Sequence, residues 1–149
     1  MWTGGVRVVV SDEEGKILLV RQNHEDRDIW MLPGGTVEDN ETSQDAAIRE
    51  VLEETGLIIS VERLIWHVEE LSKTKGQRFV NFFIGTVIGG KPELGEDPEL
   101  GENQVLESLD FFSRDEIEGL ENVYPSALRD EIWEELASKE VINRYRIRK

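Results

Sequence analysis

The hydrophobic positions fall into short runs of two kinds. Residues 6–10 and 16–21 are rich in Val, Ile and Leu, and Asp12-Glu13-Glu14-Gly15 lies between them. The pattern predicts two strands joined as a hairpin. Trp30-Met31-Leu32-Pro33-Gly34-Gly35 follows. A proline before two glycines breaks regular structure, so a loop is expected there. A helix is expected from an N-cap at Thr42 or Ser43 to a stop at Gly56. Residues 57–59, 64–68, 78–88 and 105–112 read as strands, and residues 89–103, rich in glycine, proline and acids, read as a loop. Ser113-Arg114-Asp115-Glu116 has the form of a capping box opening a short helix. Leu128, Ile132 and Leu136 recur every fourth position, which predicts a final helix over residues 125–139. Strands on both sides of an internal helix, with more helix at the end, predict an α/β fold in which helices sandwich a mixed sheet.

The internal helix raises a question of charge. At about 100° per residue, Ala47, Ile48, Val51, Leu52 and Thr55 share one side. Glu50, Glu53 and Glu54 fall roughly opposite. Glu50 neighbours Glu53 at i+3 and Glu54 at i+4, and each like-charge pair costs about 0.2–0.5 kcal/mol. A solvated face or a metal site would both explain the cluster. Spacing alone does not decide, because Glu131, Glu134 and Glu135 repeat it in the final helix. Context separates the two copies: the first is preceded by Gly34-Gly35, Glu41 and Arg49 and closed by Gly56-Leu57.

Composition limits the chemistry. The 149 residues contain no cysteine and two histidines, His24 and His67. Disulfides, thiolate sites and a histidine-rich zinc site are thereby excluded or disfavoured. A protein-held metal would have to use oxygen ligands, which suit magnesium or manganese. The formal net charge of −15 argues against a nucleic-acid polymer or an anionic membrane as partner. It leaves room for an anionic small molecule, since a divalent ion reverses the local sign of a site. The apolar runs are too short for a membrane span and the start has no secretory pattern, so a cytoplasmic setting and one domain over residues 1–149 are expected.

Gly35, Glu41 and the run Arg49-Glu50-Val51-Leu52-Glu53-Glu54-Thr55-Gly56-Leu57 together resemble the complete signature of the Nudix hydrolases, MutT-like enzymes. The signature reads Gly, five residues, Glu, seven residues, Arg-Glu-aliphatic-any-Glu-Glu-any-Gly-aliphatic, and every defined position is met. The resemblance implies a Nudix-type α/β/α sandwich and a pyrophosphohydrolase using Mg2+ or Mn2+. Such an enzyme cleaves a nucleoside diphosphate linked to another group by attack of water on phosphorus. Carried over, Glu50, Glu53 and Glu54 are metal ligands, with the Gly35 carbonyl a further one. Arg49 and Glu41 brace the loop against the helix, and Glu38 is an additional ligand or brace. The general base falls on Glu53 or on an acid of the later loop, Glu102 or Glu107, with Glu102 the choice there. Arg7, Arg21 and Arg78 are the candidates for substrate phosphates, and Trp30, Phe82 and Phe83 for stacking on a base, with core packing expected of at least one phenylalanine. No proline stands where some ADP-ribose hydrolases carry one, and no coenzyme A signature precedes the box. Those absences lean toward a nucleoside triphosphate or a nucleotide-sugar-like, small-molecule substrate. The family often forms homodimers. The alternative reading is a Nudix-like nucleotide-sensing or binding module without catalysis.

Overall fold

The structure is a computed structural model describing residues 4–24, 26–72, 76–95, 106–138 and 145–148. Eight strands form one mixed sheet: β1 Gly4–Ser11, β2 Ile17–His24, β3 Arg27–Met31, β4 Gly34–Thr36, β5 Leu57–Ser72, β6 Gly76–Gly90, β7 Leu106–Phe112 and β8 Val123–Tyr124. The order is β5-β6-β1-β2-β3-β8, with β4 added to β1 and β7 added to β2. β1 runs parallel to β6 and antiparallel to β2 and β4. The helices are α1 Ser43–Thr55, α2 Arg114–Glu118 and α3 Glu131–Ala137.

β1 explains the layering. Its valines run almost without interruption, the mark of a strand buried on both faces. Val6, Val8 and Val10 pack with Ala46, Ala47 and Val51 of α1, together with Leu57, Ile59 and Phe83. Val9 points to the other face, where Ile17, Leu19, Val80 and Phe82 meet Ile117 of α2, Leu128, and Ile132 of α3. The sheet is thus sandwiched, as expected, with α1 on one side and the other helices opposite.

Four expectations change. The segment over residues 30–35 is not an extended loop: β3 and β4 occupy its two ends, and Leu32 and Pro33 alone separate them. The glycines serve close packing rather than chain reversal, since a Cβ on Gly34 would collide with the Val6 carbonyl of β1. Residues 57–59 and 64–68 belong to one strand, β5, which stays paired to β6 through three register shifts. The final helix over residues 125–139 is broken. Ser126–Arg129 forms a 3-10 turn, and α3 starts afresh after Asp130, whose side chain accepts from the Glu131 N–H at 2.6 Å. Finally, α1 is rotated from the expected face. Glu50 and Glu54 are buried, whereas Leu52 is 47% exposed.

Candidate active site

α1 is fixed at both ends by local chemistry. Thr42 Oγ1 accepts from the Asp45 N–H at 3.0 Å, and Asp45 Oδ2 accepts in turn from the Thr42 N–H at 3.4 Å. Such a cap is worth about 1 kcal/mol. Gly56, at φ 75°, adopts the left-handed turn that glycine tolerates best, and its N–H donates to the Leu52 carbonyl at 3.0 Å. The N–H groups of Glu93 and Gly95 then donate to the Thr55 and Glu54 carbonyls at 2.8 and 2.9 Å. The start of the acidic loop therefore lies over the C-terminus of α1.

Between these ends the glutamates face different surroundings. Glu50 and Glu54, one helical turn apart, have no exposure at all, while the Glu53 side chain is 34% exposed. Glu54 Oε2 accepts from the Gly34 N–H at 3.1 Å. Glu50 lies against Gly35, where a Cβ would come within 2.8 Å of Oε2 and collide with the rest of the carboxylate. Only glycine lets backbone and carboxylate approach this closely. Burying two carboxylates is expensive unless each is compensated. One compensation is Arg49, whose Nη1 donates to Glu50 Oε1 at 3.1 Å and to Glu53 Oε2 at 3.2 Å.

Arg49 is the hub. Its Nε and Nη2 form a bidentate pair with Glu41 at 2.8 and 2.9 Å, and Nη2 also donates to the Thr36 carbonyl at 3.0 Å. Glu38 stands 3.6 Å from Nη1, and its own N–H donates to Glu41 Oε1 at 3.0 Å. The hydrogen bonds from Arg49 hold the Glu41 carboxyl below its ordinary range. Glu41, ahead of the charges of Glu50 and Glu53, holds the Arg49 guanidinium above its own. Planar, two-point pairing of this kind fixes orientation as well as charge.

Among the described residues, no group of three acidic or histidine side chains is preassembled around a single metal position. The cation now between Glu50 and Glu53 is the guanidinium of Arg49. The donor set nonetheless suits a hard divalent ion. It consists of carboxylate and carbonyl oxygens, with the glycine backbone pressed against Glu50.

The other candidates separate. Arg7 donates to the Leu32 carbonyl at 2.9 Å and lies 5.7 Å from the Tyr124 ring centroid. Arg21 pairs with Glu107 at 3.1 Å and lies 5.5 Å from the Trp30 ring, so it sits away from α1. Arg78 reaches Thr36 Oγ1 at 3.4 Å, at the end of β4. Glu102 lies outside the described residues. Phe83 is core under α1, and Trp30 packs edge-on against Phe112 at 4.7 Å. His67 stacks on Phe79 at 5.3 Å, and its Nδ1 is 2.6 Å from Asn81 Oδ1.

Phe82 instead lines an open groove of about 710 Å3 with Trp66, Tyr124 and Glu70. In the strand registers Trp66 pairs with Phe82, and Phe82 with Arg7, which in turn pairs with Gly34. The groove is therefore linked strand by strand to the glycines of β4. Trp66, Tyr124 and Thr36 were not singled out by the sequence pattern. Trp66 lies on a predicted strand, at even spacing from Val68, and that alternation was the available signal.

A family model described as the NUDIX domain matches residues 1–130. Relatives from Bacillus subtilis and Methanocaldococcus jannaschii are each 37% identical, over 61% and 67% of this chain; the second is named ADP-ribose pyrophosphatase. The matches span 58% and 60% of those relatives' own lengths. Among solved structures, a NUDIX hydrolase from Nitrosomonas europaea superposes with a TM-score of 0.73 at 25% identity, covering 91% of this chain and 88% of that one. An ADP-ribose pyrophosphatase from Streptococcus suis shares the fold with a TM-score of 0.70 at 24% identity, covering 96% and 98%.

Proposed function

Because the chain belongs to the NUDIX family, we propose that it is a metal-dependent pyrophosphohydrolase cleaving a nucleoside diphosphate linked to another group, either a nucleoside triphosphate or a nucleotide-sugar-like compound. One observation carries the reading. Two fully buried glutamates, one turn apart on α1, are pressed against the backbone of Gly34 and Gly35. A helix in an acidic protein has no structural need to turn carboxylates inward and leave Leu52 outside.

Glu50, Glu53 and Glu54, with the Gly35 carbonyl, would hold magnesium or manganese, which when bound neutralises phosphate charge and activates a water. The chain's own residues supply the rest. Gly34 orients Glu54 through its N–H. Arg49 and Glu41 hold the loop between β4 and α1 against the helix, so the acids keep one arrangement. Glu53, the most exposed of the three, is the group able to take a proton from the attacking water. Oxygen of that water bonds to phosphorus, the P–O bond to the bridging oxygen breaks, and the electron pair leaves on the departing phosphate. The aromatic groove of Trp66, Phe82 and Tyr124 offers the organic part of the substrate flat faces for packing.

The test is a hydrolysis screen with magnesium or manganese across nucleoside triphosphates, nucleotide sugars, dinucleoside polyphosphates and coenzyme A, with products identified. Metal-dependent release of a nucleoside phosphate from one of these classes is the expected result. No turnover of any class with either ion would overturn the reading.

A further inference from the structure

An acidic protein with an acidic site must still attract an anionic substrate. The strand registers put Trp66, Phe82, Arg7 and Gly34 in one row across four strands, and partners in such a row share a face of the sheet. Trp66 and Phe82 line the aromatic groove at one end of the row. At the other end the Gly34 N–H holds Glu54 of α1. Arg7 stands between them.

Its side chain reaches both ends. The stem lies over Gly34, where a Cβ would come within 2.9 Å of Arg7 Cδ. The guanidinium carbon lies 5.7 Å from the ring centroid of Tyr124, which lines the groove. Among the described residues, the hydrogen bonds of this guanidinium all leave from Nη1, to the Leu32 carbonyl at 2.9 Å and to Met31 Sδ at 3.8 Å. No described carboxylate pairs with it, whereas Arg21, Arg49 and Arg63 each hold one. In a chain with 32 acidic and 17 basic residues, a half-buried guanidinium without an acid is one whose Nε and Nη2 edge is left for an anion from outside. The groove carries the opposite sign. Its described lining includes Glu70 and Glu131 and neither lysine nor arginine. Phosphates are repelled from such a surface, so a substrate seated there turns them toward Arg7.

We propose that Arg7 binds the diphosphate of the substrate and sets its direction, with the organic part in the aromatic groove and the anhydride at the acids of α1. The inference rests on the hydrolase reading above. The Nε and Nη2 edge of a guanidinium matches phosphate oxygens at two points. The Tyr124 ring and the Leu32 carbonyl hold the group in place from its other sides.

The test is calorimetric titration, with magnesium, of imidodiphosphate and of the α,β-methylene analogues of ADP and GDP into the parent, Arg7→Met and Arg7→Lys. A manganese titration without any diphosphate, followed by electron paramagnetic resonance, runs beside it. Arg7→Met keeps the stem over Gly34 and removes the charge. It should bind the diphosphates about tenfold more weakly, a change of about 1.4 kcal/mol. Arg7→Lys, which keeps the charge without the fork, should lose less. Both variants should bind manganese at least as tightly as the parent, which a merely structural role beneath Gly34 and Glu54 would not allow. Parent-like binding of the diphosphates by Arg7→Met, an equal loss in Arg7→Lys, or a matching loss of manganese affinity would overturn the inference while leaving the hydrolase reading intact. A parent that binds no diphosphate and hydrolyses nothing overturns that reading, and this inference with it.

Discussion

The sequence Glu-x-x-Glu-Glu occurs twice, and the fold treats the copies in opposite ways. In α1, Glu50 and Glu54 are buried against the backbone of Gly34 and Gly35. In α3, Glu131 and Glu134 are exposed, and Glu135 pairs with Arg63 at 3.4 Å on the flank of the sheet. Glu131 and Glu134 also lie in the first turn of α3, where the helix dipole favours them. Those of α1 lie toward its C-terminus, where it does not. One copy sits where acids are comfortable and the other where they are costly. The lesson is that identical spacing carries no function until a partner surface turns it inward.

The comparison can be broken most sharply by neutralising one acid at a time. Glu50→Gln or Glu54→Gln should lower metal-dependent turnover by about 100-fold or more with the fold retained, whereas Glu134→Gln should stay within about twofold of the parent. Hydrolysis rates beside circular dichroism would check this. Next in size, Gly35→Ala should cost about tenfold or more in kcat/KM by driving the Glu50 carboxylate off its position. The same change at Gly119, where a Cβ meets nothing closer than 3.5 Å, should not.

The brace beneath the acids is a matter of stability and pH. Glu41→Gln should destabilise the protein by about 1–3 kcal/mol near neutral pH, read by denaturant unfolding. The folded-state pKa of Glu41 is lowered by Arg49. Its contribution is therefore complete above the unfolded value of about 4.3 and is lost as pH falls through the folded value. Parent and variant should converge in stability only once pH has fallen below that folded value. The smallest effect belongs to the other helix: Glu135→Gln removes a partly exposed pair and should cost at most about 1 kcal/mol, with turnover unchanged.

Much of this was legible in the chain. Thr42 and Gly56 set the ends of α1 because capping is local chemistry, and the box residues named the acids. What periodicity could not read was which way the helix faces. Hydrophobic pattern assigns Leu52 inward and glutamate outward by default, and here compensation by Arg49 and the Gly34 N–H reverses both. The glycines before α1 misled for a related reason. They read as chain breakers, yet they permit β4 to lie tightly against β1. The break at Asp130 was hidden by a four-residue apolar repeat that continues across it. The groove around Trp66, Phe82 and Tyr124 joins strands far apart in sequence and has no local signature.

The most direct test is a manganese titration, followed by electron paramagnetic resonance, of the parent, Glu50→Gln and Glu134→Gln. If the α1 acids hold the ion, Glu50→Gln should bind at least about tenfold more weakly while Glu134→Gln binds like the parent. Parent-like binding by Glu50→Gln, or an equal loss from Glu134→Gln, would contradict the assignment of the site to α1.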